Sequence, residues 1–186
     1  MDSTSTDAPF SDSYREAAPA VFAWVGAHLG PGLRSELDPE DVLQEVACRA
    51  FARQADYDPE QGPFRAWLFG IARNVLFQSL ERMTGSGRPD REWLTTGGLS
   101  RVPEEATSVT RRVARDDSQR RFLDLVDDLT EEERALVLQR GLEGLPHEEI
   151  ATELGIEPAT AAKRWGRLVP RLREKLGAEA SWLDTR

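Results

Sequence analysis

The stretch "HEEIATELGIEPATAAKRWGRL", residues 147–168, holds two helix-forming segments around one glycine. Ile150, Ala151 and Leu154 recur at helical spacing and give the first segment an apolar face. Gly155 follows, suited to the left-handed backbone that a sharp reversal needs. Pro158 fits the first turn of the next helix. There Ala161, Trp165, Leu168, Leu172 and Leu176 form the inward stripe, which puts Lys163, Arg164, Arg167 and Arg171 on the opposite face. Between residues 157 and 176, six basic residues stand against two acidic ones, a local net charge of +4. This is the shape of a helix-turn-helix whose second helix lies in the major groove. Lysine and arginine would meet guanine edges and phosphates, with Thr160 near the helix start. An ordinary helical hairpin with a solvated basic face has the same pattern, so the segment alone leaves both readings open.

The whole chain, by contrast, is acidic. Its 186 residues carry a formal net charge of −9. Asp116, Asp117, Asp124, Asp127, Asp128 and Glu131 to Glu133 stand just upstream of the basic helix. A field of that sign opposes free binding to DNA, so a DNA reader in this chain needs something else to deliver it. Hydrophobic residues at 39%, charged residues at 31% and a mean hydropathy of −0.52 fit a soluble protein with small cores and much exposed surface. Cys48 is the single cysteine, which excludes an intramolecular disulfide and fits a reducing compartment. No apolar run reaches the length of a membrane span, and "MDSTSTDAPFSDS" lacks the basic and apolar regions of a signal peptide. A cytoplasmic location with no membrane insertion is therefore expected.

The patterning predicts an all-α protein of two small helical domains joined by a flexible linker. Residues 1–12 are Ser, Thr, Asp and Pro with little to bury and are expected to form a disordered tail. A first domain is expected over 13–83. Its first helix carries Val21, Phe22, Trp24, Val25 and Leu29, is disturbed early by Pro19, and ends at "GPG", 30–32. Asp38 then caps a second helix ahead of Pro39, with Val42, Leu43, Val46, Ala47, Ala50 and Phe51 on its apolar face. After the turn residues of "DYDPEQGP", 56–63, a third helix shows the longest apolar stripe, from Phe64 through Trp67, Leu68, Ile71, Ala72, Val75 and Leu76 to Leu80. Residues 84–115 read as the linker, Gly-, Ser-, Thr- and Pro-rich at first, with Trp93 and Leu94 as docking candidates and helical pattern returning near Val109. A second domain is expected over 116–177. Within it "TEEE", 130–133, is a capping box, and "GLEGLP", 141–146, breaks the chain before the hairpin. Residues 178–186 make a C-terminal tail, with Trp182 and Leu183 able to dock on a domain or a partner.

Two segments carry a family likeness. "DPEDVLQEVACRAF", 38–51, with "YDPEQGPFRAWLFGIARNVLFQSLERM", 57–83, resembles region 2 of the bacterial RNA polymerase sigma factors of the sigma-70 family, extracytoplasmic-function type. Asp41, Gln44 and Glu45 meet the pattern D-x-x-Q-E, and Phe64 to Asn74 meet F-R-A-W-L-F-x-I-A-R-N. The run from Leu129 to Leu176 resembles region 4. The two motifs stand in the family's order and span most of the patterned chain, from about 14 to 83 and from 119 to 176.

The resemblance implies a polymerase subunit that supplies promoter recognition and has neither cofactor nor catalysis of its own. It implies that Asp41, Gln44 and Glu45 dock on the clamp helices of the polymerase β′ subunit, and that region 4 meets the β flap. It implies that the segment around Ile71 to Asn74 reads the −10 element of promoter DNA. Asn74 offers a donor and an acceptor to a base edge, while Arg73 and Arg65 offer charge to phosphates. The −35 element falls to Thr160, Lys163, Arg164 and Arg167, with Arg171 more distant. An anti-sigma factor is a further partner the likeness suggests. Read without it, Asp41 serves equally as a helix-dipole residue, and Gln44, Glu45, Arg65, Arg73 and Asn74 serve as solvated faces; Trp67 lies on the apolar stripe and belongs to the core. Four positions depart from the family pattern: Ala161 and Ala162 stand where the family often has a larger aliphatic and a basic residue, Gly166 weakens the helix, and Pro170 is expected to kink or end it near Leu168.

Other function classes fit less well. His28 and His147 have no metal-ligand spacing to Cys48 or to each other, and "GSG" at 85–87 lacks the strand and helix of a phosphate loop, which argues against an enzyme. A stand-alone helix-turn-helix regulator would need its own DNA affinity and a dimer interface, and no sustained heptad supplies one. A sigma-like module that binds polymerase without reading promoters is the remaining alternative.

Overall fold

The computed structural model describes residues 7–85 and 104–177. Eight α-helices make up these residues: α1 (Asp7–Leu33), α2 (Pro39–Ala52), α3 (Phe64–Thr84), α4 (Glu104–Ala114), α5 (Asp117–Asp127), α6 (Glu131–Leu136), α7 (His147–Leu154) and α8 (Pro158–Leu176). A 3-10 turn, Gln54–Asp56, follows α2, and a π-helical segment, Val137–Glu143, continues α6. The expected docking positions Trp93, Leu94, Trp182 and Leu183 lie outside the described residues, as do the first six residues of the expected tail.

The first helix starts earlier than its sequence suggests. Residues 7–12, read as tail, belong to α1, because Phe10 packs edge-on against Phe51, Phe64 and Trp67 with ring centroids 5.0, 5.0 and 5.8 Å away. That aromatic cluster offsets the weak propensity of the preceding residues. Pro19 lies inside α1 without breaking it, since Ala17, Ala18, Ala20 and Val21 around it are buried. Gly30, at φ 63 and ψ 174, does break it, as the "GPG" signal requires. In α2 the Asp38 carboxylate accepts the Glu40 N–H at 2.8 Å and Pro39 occupies the first turn, so the expected start is the observed one. The α3 stripe buries Leu68, Ile71, Ala72, Val75 and Leu76 against α1 and α2.

The region read as linker contains α4. Ala106, Val109, Thr110 and Val113 recur at helical spacing and are buried against α1 and α2. The buried Tyr14 hydroxyl and Thr110 Oγ1 are hydrogen-bonded at 3.2 Å, and burial raises the Tyr14 phenol far above its usual range. These contacts tie α4 to α1.

In the C-terminal unit the capping box is formed: Thr130 Oγ1 accepts the Glu133 N–H, and the Glu133 carboxylate accepts the Thr130 N–H. Gly144 (φ 79) ends the π-helical segment and Gly155 (φ 65) makes the turn of the hairpin. The expected break at Pro170 does not occur. Helix α8 runs through it to Leu176, because Leu168 before it and Leu172 and Leu176 after it lie on one buried stripe. Packing on both sides outweighs the single backbone hydrogen bond that proline removes.

One apolar core runs through both units. α1 is the shared element, with α2, α3 and α4 around it and α5 and the π-helical segment packed on another part of its surface. Gly26 of α1 lets α5 approach: a Cβ there would stand 2.8 Å from Leu123 Cδ2.

Candidate nucleic-acid and polymerase interface

The turn at Gly155 and the start of α8 at Pro158 hold α8 across α7, so its buried stripe fixes which side chains face out. Lys163 and Arg167 are exposed and make no ion pair among the described residues. Arg164 and Arg171 do. Arg164 Nη1 donates to Glu132 Oε2, and Arg171 Nη1 donates to Glu133 Oε1 at 2.7 Å. Sequence reasoning missed these partners, although the "EEE" run, 131–133, was the signal. The Arg171 hydrogen bond is the first reason the Glu133 carboxyl is held below its usual range, with the Thr130 backbone adding to it. Thr160 is half-buried at the start of α8.

On α3 the sequence-predicted −10 residues divide. Ile71 and Ala72 are buried, while Arg73 and Asn74 reach the surface. Asn74 is exposed, and its side chain makes no hydrogen bond among the described residues. One turn on, Phe77 is 66% exposed on the same face, an aromatic surface that sequence reasoning did not single out. Its signal was an aromatic residue just off the apolar stripe. Trp67 sits with Phe10, Tyr57 and Phe64 and is a packing residue.

Arg73 and Arg65 face the C-terminal unit. Arg73 Nη2 donates to Glu143 Oε2, and Trp24 Nε1 donates to Glu143 Oε1 at 2.7 Å. Arg65 Nε donates to the Leu142 carbonyl at 2.7 Å, and its Nη2 to the Gly141 carbonyl at 3.2 Å. Those carbonyls lie in the last turn of the π-helical segment, at the negative end of the helix dipole. Burial lowers the Arg65 pKa to about 10, so it stays charged at neutral pH while poorly hydrated. Between Trp24, Phe77, Gln139 and Glu143 a cavity of about 520 Å³ remains.

Of the sequence-predicted polymerase contacts, Asp41 is exposed, and Asp41 and Glu45 line a shallow groove of about 400 Å³ between α2 and α3 with Leu37, Arg82 and Met83. Glu45 accepts from Arg49 Nε at 2.8 Å. Gln44 instead turns to α4, its Nε2 donating to Thr107 Oγ1 at 3.2 Å. The groove offers carboxylates beside apolar surface, suited to a basic, partly apolar helical partner. Burial and then Glu45 push the Cys48 thiol up, so it is not a ready nucleophile. Among the described residues no group of three or more His, Cys, Asp or Glu stands as a metal site, and no helix is long and apolar enough to cross a membrane.

Comparison with known proteins gives the chain its family. Residues 14–84 match the family model of sigma-70 region 2 and residues 119–167 that of sigma-70 region 4. The chain is 28% identical over 171 residues to the ECF RNA polymerase sigma factor SigD of Mycobacterium tuberculosis, covering 88% of this chain and 75% of that protein. It is 31% identical over 134 residues to SigL of the same species, covering 72% of each. SigE of Mycolicibacterium smegmatis is 33% identical over 147 residues, covering 77% of this chain and 54% of that protein. No solved structure matches. With both regions in order in one helical chain, the protein belongs to the sigma-70 family, as a sigma factor of the extracytoplasmic-function type that directs promoter-specific transcription initiation.

Proposed function

We propose that Asp41, Glu45 and Gln44 seat the chain on the clamp helices of core RNA polymerase, and that α3 and α8 then read the −10 and −35 promoter elements. At the −10 element Asn74 hydrogen-bonds an unstacked base, Phe77 stacks on it, and Arg73 and Arg65 hold the adjacent phosphates. At the −35 element Lys163 and Arg167 are the principal contacts, with Thr160 near the helix start; Arg164 and Arg171 join after leaving their glutamates. Region 4 rests on the β flap. The reaction is the polymerase's, and the chain contributes recognition without catalysis, in the cytoplasm, where an anti-sigma factor covering these faces would silence it. The observation that carries this reading is the exposure of Lys163 and Arg167 on α8 and of Asn74 with Phe77 on α3, in the order the two regions require.

Two weak DNA contacts fixed on one machine act as a bivalent reader, which accounts for promoter binding by an acidic chain. The test is footprinting of reconstituted holoenzyme. Asn74→Ala with Phe77→Ala is expected to remove protection and melting at the −10 element while core polymerase still co-elutes. Unchanged protection there would overturn the assignment.

A further inference from the structure

We propose that α4 carries a third contact to promoter DNA, an arginine ridge that holds the phosphate backbone without reading sequence. Residues 104–115 lie outside both stretches that match the family, 14–84 and 119–167, so neither region accounts for them. Arg111, Arg112 and Arg115 are exposed and make no ion pair among the described residues. The chain has a net charge of −9 and carboxylates to spare; Arg34, Arg49, Arg73, Arg164 and Arg171 have each found one. With Ser108 the three unpaired arginines line a groove of about 780 Å³ along α4. The carboxylates at its ends have local duties. Glu104 opens α4 at the positive end of its dipole, and Asp116 caps α5, accepting the Ser118 N–H at 2.9 Å. The cations between them are left for a partner.

The ridge suits a repeating anion. Ser108, Arg111 and Arg115 follow one another at helical spacing on one side of α4, with Arg112 beside them. Arg111 and Arg115 are one turn apart, about 6 Å along the axis, close to the rise of two phosphates on one DNA strand. Each guanidinium presents its donors as a planar fork that matches phosphate oxygens, and the Ser108 hydroxyl adds another donor. The support beneath is packed: Ala106, Val109 and Val113 are buried against α1 and α2, and Thr110 is hydrogen-bonded to the buried Tyr14. Presented from a packed helix rather than from loose chain, the arginines cost less to order on binding. Phosphate contacts carry no sequence information, so the ridge adds affinity and salt dependence to a recognition specified elsewhere. Promoter DNA is the polyanion a sigma factor meets at initiation, which favours it over an acidic protein surface.

The test uses holoenzyme reconstituted from the full chain and bacterial core RNA polymerase, titrated on fluorescent promoter DNA across a salt series without nucleotides. The variant is Arg111→Gln with Arg115→Gln. A charge-matched control, Arg15→Gln with Arg53→Gln, changes exposed positions outside the groove. Losing two phosphate contacts is expected to make the slope of log K against log salt shallower by about 1.4–1.8, so that a fourfold rise in salt costs the variant roughly tenfold less affinity. The same shift is expected on a template whose −35 element is scrambled, and none in the control. A shift equal to the control's, or one confined to the intact −35 element, would overturn the ridge. A second measurement identifies the partner. Ser108→Cys is labelled with an azidophenacyl photocrosslinker; Cys48 is 8% exposed, so the new thiol is the accessible one. Capture of promoter strands supports the ridge, whereas capture of polymerase polypeptide with no DNA overturns it in favour of an acidic protein surface. The α8 reading is tested separately by Lys163→Ala: its failure with the slope shift intact sinks that assignment and not the ridge, and the reverse result sinks only the ridge.

Discussion

Lys163 and Arg167 differ from Arg164 and Arg171 in one respect that sets their expected weight: among the described residues they have no carboxylate to leave before meeting DNA. Exposed ion pairs are worth about 0–1 kcal/mol, so the paired arginines remain usable but contribute less. Lys163→Ala and Arg167→Ala are each expected to weaken −35-dependent promoter binding by about 1–3 kcal/mol, read by titrating holoenzyme on promoter DNA, with core binding unchanged. Arg164→Ala is expected to cost less than either. Glu133 gives a pH signature. Its carboxyl titrates lower in the folded chain than its usual 4.5, chiefly through the Arg171 hydrogen bond, so its stabilisation is full above about pH 4.5 and is lost as pH falls through the lowered value. Glu133→Gln is therefore expected to lower stability at neutral pH and to flatten the acid limb of the urea-midpoint profile; an unchanged limb would mean that the Arg171 tie adds nothing to stability.

Among the helices, α8 carries the clearest expectation. A Cβ at Gly166 would meet nothing within 4 Å, so Gly166→Ala is expected to stabilise the chain by about 1 kcal/mol in urea unfolding through helix propensity alone. Thr130→Ala, which removes half of the capping box, is expected to destabilise by about 1 kcal/mol in the same measurement. Helices with a dense apolar stripe and a local start or stop signal were legible in the sequence, as the Asp38 cap of α2, the long stripe of α3 and the Gly155 turn of the hairpin show. Those that depend on distant packing were not. Helix α4 has Ala106, Val109 and Val113 as its buried face, too sparse a stripe to announce itself after a Gly- and Ser-rich stretch, and Tyr14 and Gln44 complete its environment from distant parts of the chain. Pro170 misled in the opposite sense: the local rule for proline holds, but the stripe on both sides outweighs it.

At the scale of the molecule, the sequence disclosed two units and their functional faces but not their mutual arrangement. Motif spacing located Arg65, Arg73 and Asn74 on one helix; no local pattern could show that Glu143, Gly141 and Leu142 would sit on the first two. Such contacts join residues 70 to 77 positions apart and depend on the shape of both surfaces. The acidity of the chain suggested that DNA binding requires delivery. Delivery by core polymerase remains the claim on which the others depend. The most direct measurement is co-elution of the purified chain with bacterial core RNA polymerase on a sizing column, beside a variant with Asp41, Gln44 and Glu45 changed to Ala. The expected result is a stable complex for the unaltered chain and its loss in the variant, with the variant's helical content preserved. A chain free of any inhibitor that passes through the column apart from core polymerase, or a variant that binds as well as the unaltered chain, would contradict it.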